Sequence, residues 1–455
     1  MGGSQQRSAA PPAAPPPSSL SASQDLDLDP DQVPPSSNLD DSLARRKQAT
    51  IKSITRTGSV ADFPVVLTEG SGGGFQWAVG ETQGRRKTME DAHVVNLDID
   101  GQGTALFAVF DGHSGREVSA FCAQHIAEEV VRSDAFRRSD LPGALGAAFL
   151  ALDRRMRDED SRTELQEYAE GHPVSSTKTY GITDEHGHYQ GPKAGSTAAV
   201  ALVRGEQLAV AHAGDSRVVL SEGGVAVALT EDHKPDLPAE RDRIYRAGKS
   251  KVVSGHFVLQ RPGGVPRVGG SLAMSRAMGD VRFKDPGLAP DQQAVTAAPD
   301  TAAVRLGTSG GASLMPELYP AGAGEEDKES GAGAGGGGAG GAGGGGGGPS
   351  PSSSPSCLPH PPLLVVACDG LWDVMNRQMV INFLELHLAR NGGSLRSAVS
   401  NLLHEALRHD STTAPTADNV TVLLVRLPEN NNNKKNNNNE KDKHGEVTAA
   451  GAAAK

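Results

Sequence analysis

The sequence predicts an α+β fold in which antiparallel sheets and helices form layers. Short apolar runs are separated by hairpin-type turns, at Gly205-Glu206 and at Glu222-Gly223-Gly224. Other segments repeat apolar residues every three to four positions, which is typical of helices that are buried along one face. Strands joined by hairpins, together with helices that occur in pairs, favour this architecture over a parallel βαβ sheet.

Six apolar runs have the length and the flanking turn residues of strands. They are Leu106–Phe110, Thr197–Val203, Gln207–His212, Arg217–Leu220, Leu363–Cys368 and Val420–Arg426. The turn at Gly205-Glu206 would close a hairpin between the second and third runs, and the turn after Glu222 would reverse the chain beyond the fourth.

Four helices are predicted from apolar residues that share one face. The apolar face of the first helix consists of Val118, Phe121, Cys122, Ile126 and Val130. The apolar face of the second consists of Leu141, Leu145, Phe149, Leu152 and Met156. A third helix begins after Asn376, a residue type favoured at N-caps, and stops at Gly392. A fourth begins at Ser394 and carries Leu395, Val399, Leu402, Leu403 and Leu407.

The folded domain is predicted over residues 73–427, with biased sequence on either side. Residues 1–72 are rich in Pro, Ser, Ala and Asp, and residues 428–455 are rich in Asn and Lys. Such segments bury too little apolar surface to offset the entropy of ordering, so both are expected to be disordered tails. Two flexible inserts are expected inside the domain, a polar one near 157–194 and a Gly/Ala-rich and then Pro/Ser-rich one near 321–362.

Composition limits the function classes. The chain has 455 residues and a net charge of −11, which argues against a general nucleic-acid binder because phosphate-backbone affinity needs clustered Lys and Arg. No apolar run approaches the roughly 20 residues of a membrane span, and the N-terminal residues lack the pattern of a secretory signal. The three cysteines show no CxxC spacing, so neither a disulfide framework nor a structural zinc site is predicted. An intracellular location, cytoplasmic or nuclear, is expected.

Acidic residues recur where the predicted strands end or begin. Asp111 and Asp369 each end an apolar run and precede a glycine, and Asp418 stands just before another run. Glu90 and Asp91 precede a short apolar pair. Such positions could meet at one rim of a sheet, where Mg²⁺ and Mn²⁺ take oxygen ligands from several segments. Taken singly, an Asp-Gly pair after a strand is ordinarily a turn, so no one of these positions decides for a metal site.

In order along the chain, these residues belong to eight motifs that resemble the type 2C metal-dependent protein serine/threonine phosphatases (the PPM family). The motifs read RKTMEDAH at 86–93, VFDGH at 109–113, GSTA at 195–198, AGDSR at 213–217, TEDHKP at 230–235, LAMSRAMGD at 272–280, ACDGLWDV at 367–374 and DNVTV at 418–422. The resemblance implies a four-layer α-β-β-α sandwich of two antiparallel sheets flanked by helices. It also implies hydrolysis of phosphoserine and phosphothreonine in protein substrates.

The resemblance further implies a cofactor of two Mg²⁺ or Mn²⁺ ions, with a weaker third in some members. By position in the motifs, Asp111 would bridge the two ions, Asp369 and Asp418 would hold one, and Glu90 and the carbonyl of Gly112 would hold the other. Asp91 would act through water, and Asp215 and Asp373 would join Asp369 around the third ion. Arg86 would grip the substrate phosphate, and His113 would be the general acid.

Two segments depart from the family pattern. Ser114 stands where the family usually has a glycine, and we expect it to cap a helix that begins near Arg116. The segment 243–266 is only loosely similar to the flap of the family, so substrate preference is not predicted from it.

Two other functions use similar sequence features. A catalytically inactive relative that serves as a binding or regulatory module would have lost metal aspartates, whereas all of the expected acidic positions are present. A metal-dependent nuclease would need a basic groove for its substrate, and the acidic composition of this chain does not indicate one. The expected partners are therefore phosphoproteins and not nucleic acid, and the chain is expected to be a monomer.

Overall fold

The computed structural model describes residues 56–60, 63–169, 180–248, 258–260, 264–306, 313–314, 361–413 and 418–428. Within them the strands are β1 (Arg56–Val60), β2 (Phe63–Gly72), β3 (Phe75–Thr82), β4 (Ala92–Asn96), β5 (Ala105–Phe110), β6 (Gly112–His113), β7 (Ile182–Thr183), β8 (Tyr189–Gly191), β9 (Gly195–Ser196), β10 (Ala198–Arg204), β11 (Gln207–Ala213), β12 (Arg217–Glu222), β13 (Val225–Ala228), β14 (Val258–Leu259), β15 (Arg267–Val268), β16 (Met278–Gly279), β17 (Asp300–Arg305), β18 (Ser313–Leu314), β19 (Leu363–Ala367) and β20 (Val420–Arg426). The helices are α1 (Glu117–Arg132), α2 (Asp134–Arg137), α3 (Leu141–Arg155), α4 (Glu159–Ala169), α5 (Pro238–Ala247), α6 (Asp369–Trp372), α7 (Arg377–Arg390) and α8 (Leu395–Thr413), with short 3-10 turns at Val281–Phe283 and Pro290–Gln292.

Two antiparallel sheets form the centre of the domain. Their strand orders are β1-β2-β3-β20-β19-β12-β13 and β18-β17-β11-β10-β5-β4. Successive side chains of a strand point to opposite faces, and the two faces of β5 show what each covers. Phe107 and Val109 pack into the layer between the sheets, whereas Leu106, Ala108 and Phe110 pack against the helices. Burial on both faces explains why the central strands are continuous apolar runs.

Helices cover the outer face of each sheet. α1 and α3 pack on the sheet that contains β5, and α7 and α8 pack on the sheet that contains β19 and β20. The predicted four-layer α-β-β-α sandwich is therefore confirmed. No helix within the described ranges is both long and apolar enough to cross a bilayer.

The predicted turns and one predicted cap are found where the sequence placed them. Arg204 pairs with Gln207 across the first hairpin, and Glu222 pairs with Val225 across the second. The Asn376 side chain accepts the backbone N–H of Met379 at 2.9 Å, so it is the N-cap of α7. The six predicted strands and four predicted helices all form, with ends that differ by one or two residues except at the C-terminal end of α8.

The predicted N-terminal tail was too long. Residues up to 72 were assigned to it, but β2 occupies Phe63–Gly72 and pairs with both β1 and β3. Val65 and Leu67 of β2 are buried against the helical layer, while Val66 between them is exposed. This alternation is typical of a half-buried strand, but it covers too few residues to stand out beside Pro, Thr and Gly.

The prediction of a flexible polar insert near 157–194 was also wrong in part. Its first section forms α4, in which Leu165 is fully buried against the α1–α3 layer, and its last section forms the β7–β8 hairpin. The middle of this insert lies outside the described residues, as do most of the second insert near 321–362, the rest of the N-terminal tail and all but the first residue of the tail 428–455.

Candidate active site

The acidic positions meet because of how the strands are ordered. Asp111 follows β5, and Asp91 stands beside it because β4 begins antiparallel to the end of β5. Asp369 follows β19, and Asp418 lies near it because β20 begins antiparallel to the end of β19. The two pairs belong to different sheets, so the cluster lies where both sheets end on the same side of the sandwich.

Asp111 is a strongly perturbed carboxyl group of the cluster. Burial raises its pKa well above the usual range, and Asp369, Asp91, Asp215 and Asp418 each raise it further. Four negative neighbours acting on one buried carboxylate mean that these side chains point into a common space. That space favours a positive charge.

Asp369 and Asp373 extend the cluster along the first turn of α6. Burial raises the pKa of Asp369 well above its usual range, and repulsion from Asp215, Asp373 and Asp418 raises it further. Burial also raises the pKa of Asp373, although the ammonium of Lys234 opposes this rise. Asp215 and Asp373 thus lie together at the edge of the cluster that Asp369 borders.

One carboxylate oxygen of Asp91 accepts a hydrogen bond from a hydroxyl group. Its Oδ2 accepts the Thr421 hydroxyl at 2.7 Å, while its Oδ1 is buried without a hydrogen-bond partner among the described residues. Burial raises the pKa of Asp91 to about 7, even though the bond from Thr421 lowers it. Ligand atoms of Asp91, Asp111 and Cys368 lie within 4.8 Å of one another.

Hydrogen bonds to both carboxylate oxygens of Glu90 hold its side chain in place. Oε1 accepts the Thr88 hydroxyl at 2.8 Å, and Oε2 accepts the backbone N–H of Gly115 at 3.1 Å. The Glu90 carbonyl packs on Gly112 so tightly that a Cβ on Gly112 would lie 2.3 Å from its oxygen. Gly112 is therefore required by close packing of two backbone segments.

Asn419 ties the loop that carries Glu90 to the start of β20. Its Oδ1 accepts the backbone N–H of Glu90 at 2.9 Å, and its Nδ2 donates to the carbonyls of Gln83 and Thr88 at 2.8 and 3.0 Å. An amide that donates twice and accepts once can fix a loop that has no regular structure. No role was predicted for Asn419 from the sequence, although it lies inside the last motif.

Arg86 lies at the rim of the cluster. Its guanidinium donates to Oδ2 of Asp418, and 56% of its side chain is exposed. The backbone carbonyl of Arg86 accepts a hydrogen bond from the Gln83 side chain at 2.8 Å, which fixes the turn that carries it. The guanidinium is therefore accessible to a ligand that approaches the carboxylates from solvent.

His113 forms a close pair with a buried carboxylate. Its Nε2 lies 2.6 Å from Oδ2 of Asp280, whose side chain is fully buried. Burial lowers the pKa of His113, but Asp280 more than offsets this, so the pKa is raised. The strands β6, β9 and β16 pair in one small sheet that brings the two residues together. A Cβ on Gly195 would lie 2.2 Å from the Asp280 carboxylate, so this glycine makes room for the pair.

Ser114 does not cap α1 as predicted. The helix begins at Glu117 with Arg116 at its cap position, and no described side chain caps it. Ser114 instead adopts a φ of +63°. This is a left-handed conformation that glycine tolerates best, which explains why the family usually has a glycine here.

The donor set suits a hard divalent cation. All predicted side-chain ligands offer oxygen, and Oδ1 of Asp91 and Oδ1 of Asp215 are both buried without hydrogen-bond partners in the described structure. Buried carboxylates whose pKa is raised by mutual repulsion lose that repulsion when a cation lies between them. The residues present therefore fit the cofactor that the sequence implied.

Comparison with known proteins identifies the family. A profile described as Protein phosphatase 2C matches residues 75–311 and 359–414. The chain belongs to the protein phosphatase 2C family. Among its relatives, "Probable protein phosphatase 2C 58" of Oryza sativa subsp. japonica is 33% identical over 378 residues, which cover 79% of this chain and 85% of the relative. "Probable protein phosphatase 2C 6" of Paramecium tetraurelia is 31% identical over 353 residues, covering 77% and 92%.

Solved structures agree with this protein phosphatase 2C assignment at the level of the fold. The crystal structure of serine-threonine phosphatase 2C from Toxoplasma gondii aligns with a TM-score of 0.53 at 20% identity, covering 83% of this chain and 98% of that one. Another Toxoplasma gondii phosphatase aligns at 0.52 and 22%, covering 80% and 95%. The predicted identity as a metal-dependent serine/threonine protein phosphatase is confirmed, and phosphoproteins are its substrates. The individual residue roles stay predictions, as do the C-terminal limit of the domain and the second insert near 321–362.

Proposed function

We propose that this phosphatase cleaves phosphoserine and phosphothreonine with two Mg²⁺ or Mn²⁺ ions held in the carboxylate cluster. Asp111 would contact both ions, Asp369 and Asp418 one of them, and Glu90 with the Gly112 carbonyl the other. The observation that supports this most is the position of Asp111 and Asp369. They follow strands of different sheets, and their carboxyl groups lie close enough that Asp369 raises the pKa of Asp111 while a hydrogen bond with Asp111 acts on Asp369.

Three further acidic residues complete the proposed centre. Asp91 would act through water, since the Thr421 hydroxyl bonds its Oδ2 and leaves its Oδ1 buried without a described partner. Asp215 and Asp373 would join Asp369 around a weaker third ion. When bound, the cations supply Lewis acidity and positive charge that activate water for attack on phosphorus.

Arg86 would hold the substrate phosphate. The planar guanidinium can donate two parallel hydrogen bonds to phosphate oxygens, which a lysine ammonium does not match. Its contact with Asp418 holds the guanidinium beside the cluster, while its exposure leaves donors for an incoming phosphate.

His113 would protonate the leaving serine or threonine oxygen. The Asp280 carboxylate fixes the orientation of the ring through Nε2 and raises its pKa, so the imidazole keeps its proton to a higher pH than a free histidine. A protonated ring beside the reacting group is what a general acid requires. Asp280 acts on the reaction only through His113.

The remaining expectations concern the setting of the reaction. We propose that the chain is an intracellular monomer, cytoplasmic or nuclear, that does not bind nucleic acid. The net charge of −11 supports the last point, and the free buried thiols of Cys122 and Cys368 are compatible with a reducing compartment. The alternative of an inactive regulatory module is disfavoured because every carboxylate of the cluster is present.

The proposal is tested by turnover of a phosphothreonine peptide with and without added metal. Purified protein should be active with Mn²⁺ or Mg²⁺ and inactive in EDTA. Asp111→Asn should abolish turnover without unfolding the protein, as followed by circular dichroism, whereas Asp291→Asn at an exposed position should change neither property. Full activity in EDTA would refute the two-metal proposal.

A further inference from the structure

A lysine side chain occupies one edge of the carboxylate cluster. Lys234 lies in the loop between β13 and α5, and its Nζ contacts Oδ2 of Asp215 at 2.6 Å. It also lies 3.8 Å from Oδ2 of Asp232. The Asp215 side chain is 3% exposed and the Lys234 side chain 37% exposed, so the ammonium covers the carboxylate from the solvent side.

The neighbours of Lys234 hold it in this position. The backbone N–H of His233 donates to the carbonyl of Gly214 at 3.0 Å, and the Gly214 N–H donates to Nδ1 of His233 at 3.1 Å. The residue before His233 is Asp232, whose carboxylate accepts two hydrogen bonds from the guanidinium of Arg217, at 2.7 and 2.9 Å. The loop is therefore pinned to the segment that carries Asp215, and the lysine is directed at that carboxylate.

The same lysine faces the residues proposed to bind a third ion. Asp369 and Asp373 both interact electrostatically with Lys234. Asp215 offers only one other oxygen, Oδ1, which is buried and has no hydrogen-bond partner among the described residues. One oxygen of Asp215 is thus open to a cation and the other is held by a cation that belongs to the chain.

We propose that Lys234 is a tethered competitor for the divalent ion at the Asp215–Asp373 edge of the cluster. The ammonium and a metal ion exclude one another at Oδ2 of Asp215, so an ion that binds there must break the ion pair or accept a positive neighbour. This proposal rests on the proposed metal centre, and it would account for an ion at this edge being weaker than ions at Asp111, as the family resemblance implies. Lys234 thereby sets the divalent-ion concentration at which the edge fills.

Binding of Mn²⁺ to the full chain tests this directly, by titration calorimetry and by the electron paramagnetic resonance signal of free Mn²⁺. Lys234→Met should tighten the weakest Mn²⁺ site by about tenfold or more, because a unit charge is removed at ion-pair distance. Lys234→Arg, which keeps the charge, should stay within about threefold of wild type. Lys193→Met removes the same charge at an exposed position and should leave the isotherm unchanged.

The outcomes separate this inference from the proposed function. A wild-type chain that binds no Mn²⁺ would overturn both. Two tight sites with a weakest site that Lys234→Met leaves unchanged would overturn only the role of Lys234. If Lys234→Met fails to fold, Lys234→Gln takes its place. Asp215→Asn provides a second criterion, because it should abolish the weakest site while sparing the tight ones, and retention of all sites would contradict the proposal.

Discussion

The buried carboxylate of Glu240 gives a stability prediction whose magnitude follows from the structure. Glu240 accepts hydrogen bonds from Arg243 at 2.7 Å, from Arg276 at 2.9 Å and from the Ser275 hydroxyl. Burial raises the pKa of Glu240, but the two arginines outweigh burial and lower it from 4.5 to about 2. Ser275 and Arg276 belong to the same motif as Asp280.

A pKa lowered by this amount corresponds to about 3 kcal/mol of folding stability, since one pKa unit is worth about 1.4 kcal/mol. The sign follows from the direction of the shift. The carboxylate is stabilised in the folded state, so its contribution is fully present above the unfolded pKa of 4.5 and is lost as the pH falls from there toward about 2. Glu240→Gln should therefore lower the free energy of unfolding by about 3 kcal/mol at pH 7.

Urea denaturation of wild type and Glu240→Gln between pH 7 and pH 3.5 is the measurement. The difference between the two proteins should shrink by about 1.4 kcal/mol per pH unit below pH 4.5, because the unfolded wild-type chain takes up a proton at Glu240 that the folded protein does not. Glu185→Gln, at a side chain that is 87% exposed, provides the control and should be neutral. A difference that stays constant across this range would show that Glu240 contributes packing and not charge, and would refute the reasoning.

Two further predictions concern turnover, and a third concerns metal binding. His113→Gln should reduce phosphopeptide turnover by about 10²–10⁴-fold and p-nitrophenyl phosphate turnover far less, because p-nitrophenolate leaves without a proton; equal losses at saturating metal would rule out the general-acid role. Arg86→Ala should raise KM and lower kcat on both substrates, and an effect confined to one of them would argue against a phosphate contact. Gly112→Ala should weaken Mn²⁺ binding measured by calorimetry, since the new Cβ would lie 2.3 Å from the Glu90 carbonyl oxygen; unaltered binding would show that this backbone contact does not shape the site.

Much of the fold followed from apolar patterning because the central strands are buried on both faces. Continuous runs such as Leu363–Ala367 are visible in the sequence, and the carboxylates at their ends could be located with them. β2 was missed because only one of its faces is buried and the pattern is short. The convergence of the carboxylates on one rim was supported by the family motifs, since strand order is not encoded in any single segment.

The contacts of Asp280 and Lys234 escaped prediction for a different reason. Asp280 contacts His113 across 167 positions of sequence, and Lys234 reaches Asp215 through a loop whose course is fixed by His233 and Arg217. Both residues lie inside the quoted motifs, so the signal existed, but a motif does not say which side chains touch. Ser114 was misassigned because a serine before a helix usually caps it, and only the backbone angle shows otherwise.

We propose that the carboxylate cluster holds two catalytic cations. A crystal structure of the full chain grown with Mn²⁺, with anomalous differences collected at the manganese absorption edge, tests this proposal. We expect two strong peaks, one beside Asp111, Asp369 and Asp418 and the other beside Asp111, Glu90 and the Gly112 carbonyl. The absence of anomalous density at Asp111 in crystals that contain active enzyme, or manganese held by a different set of residues, would contradict the account.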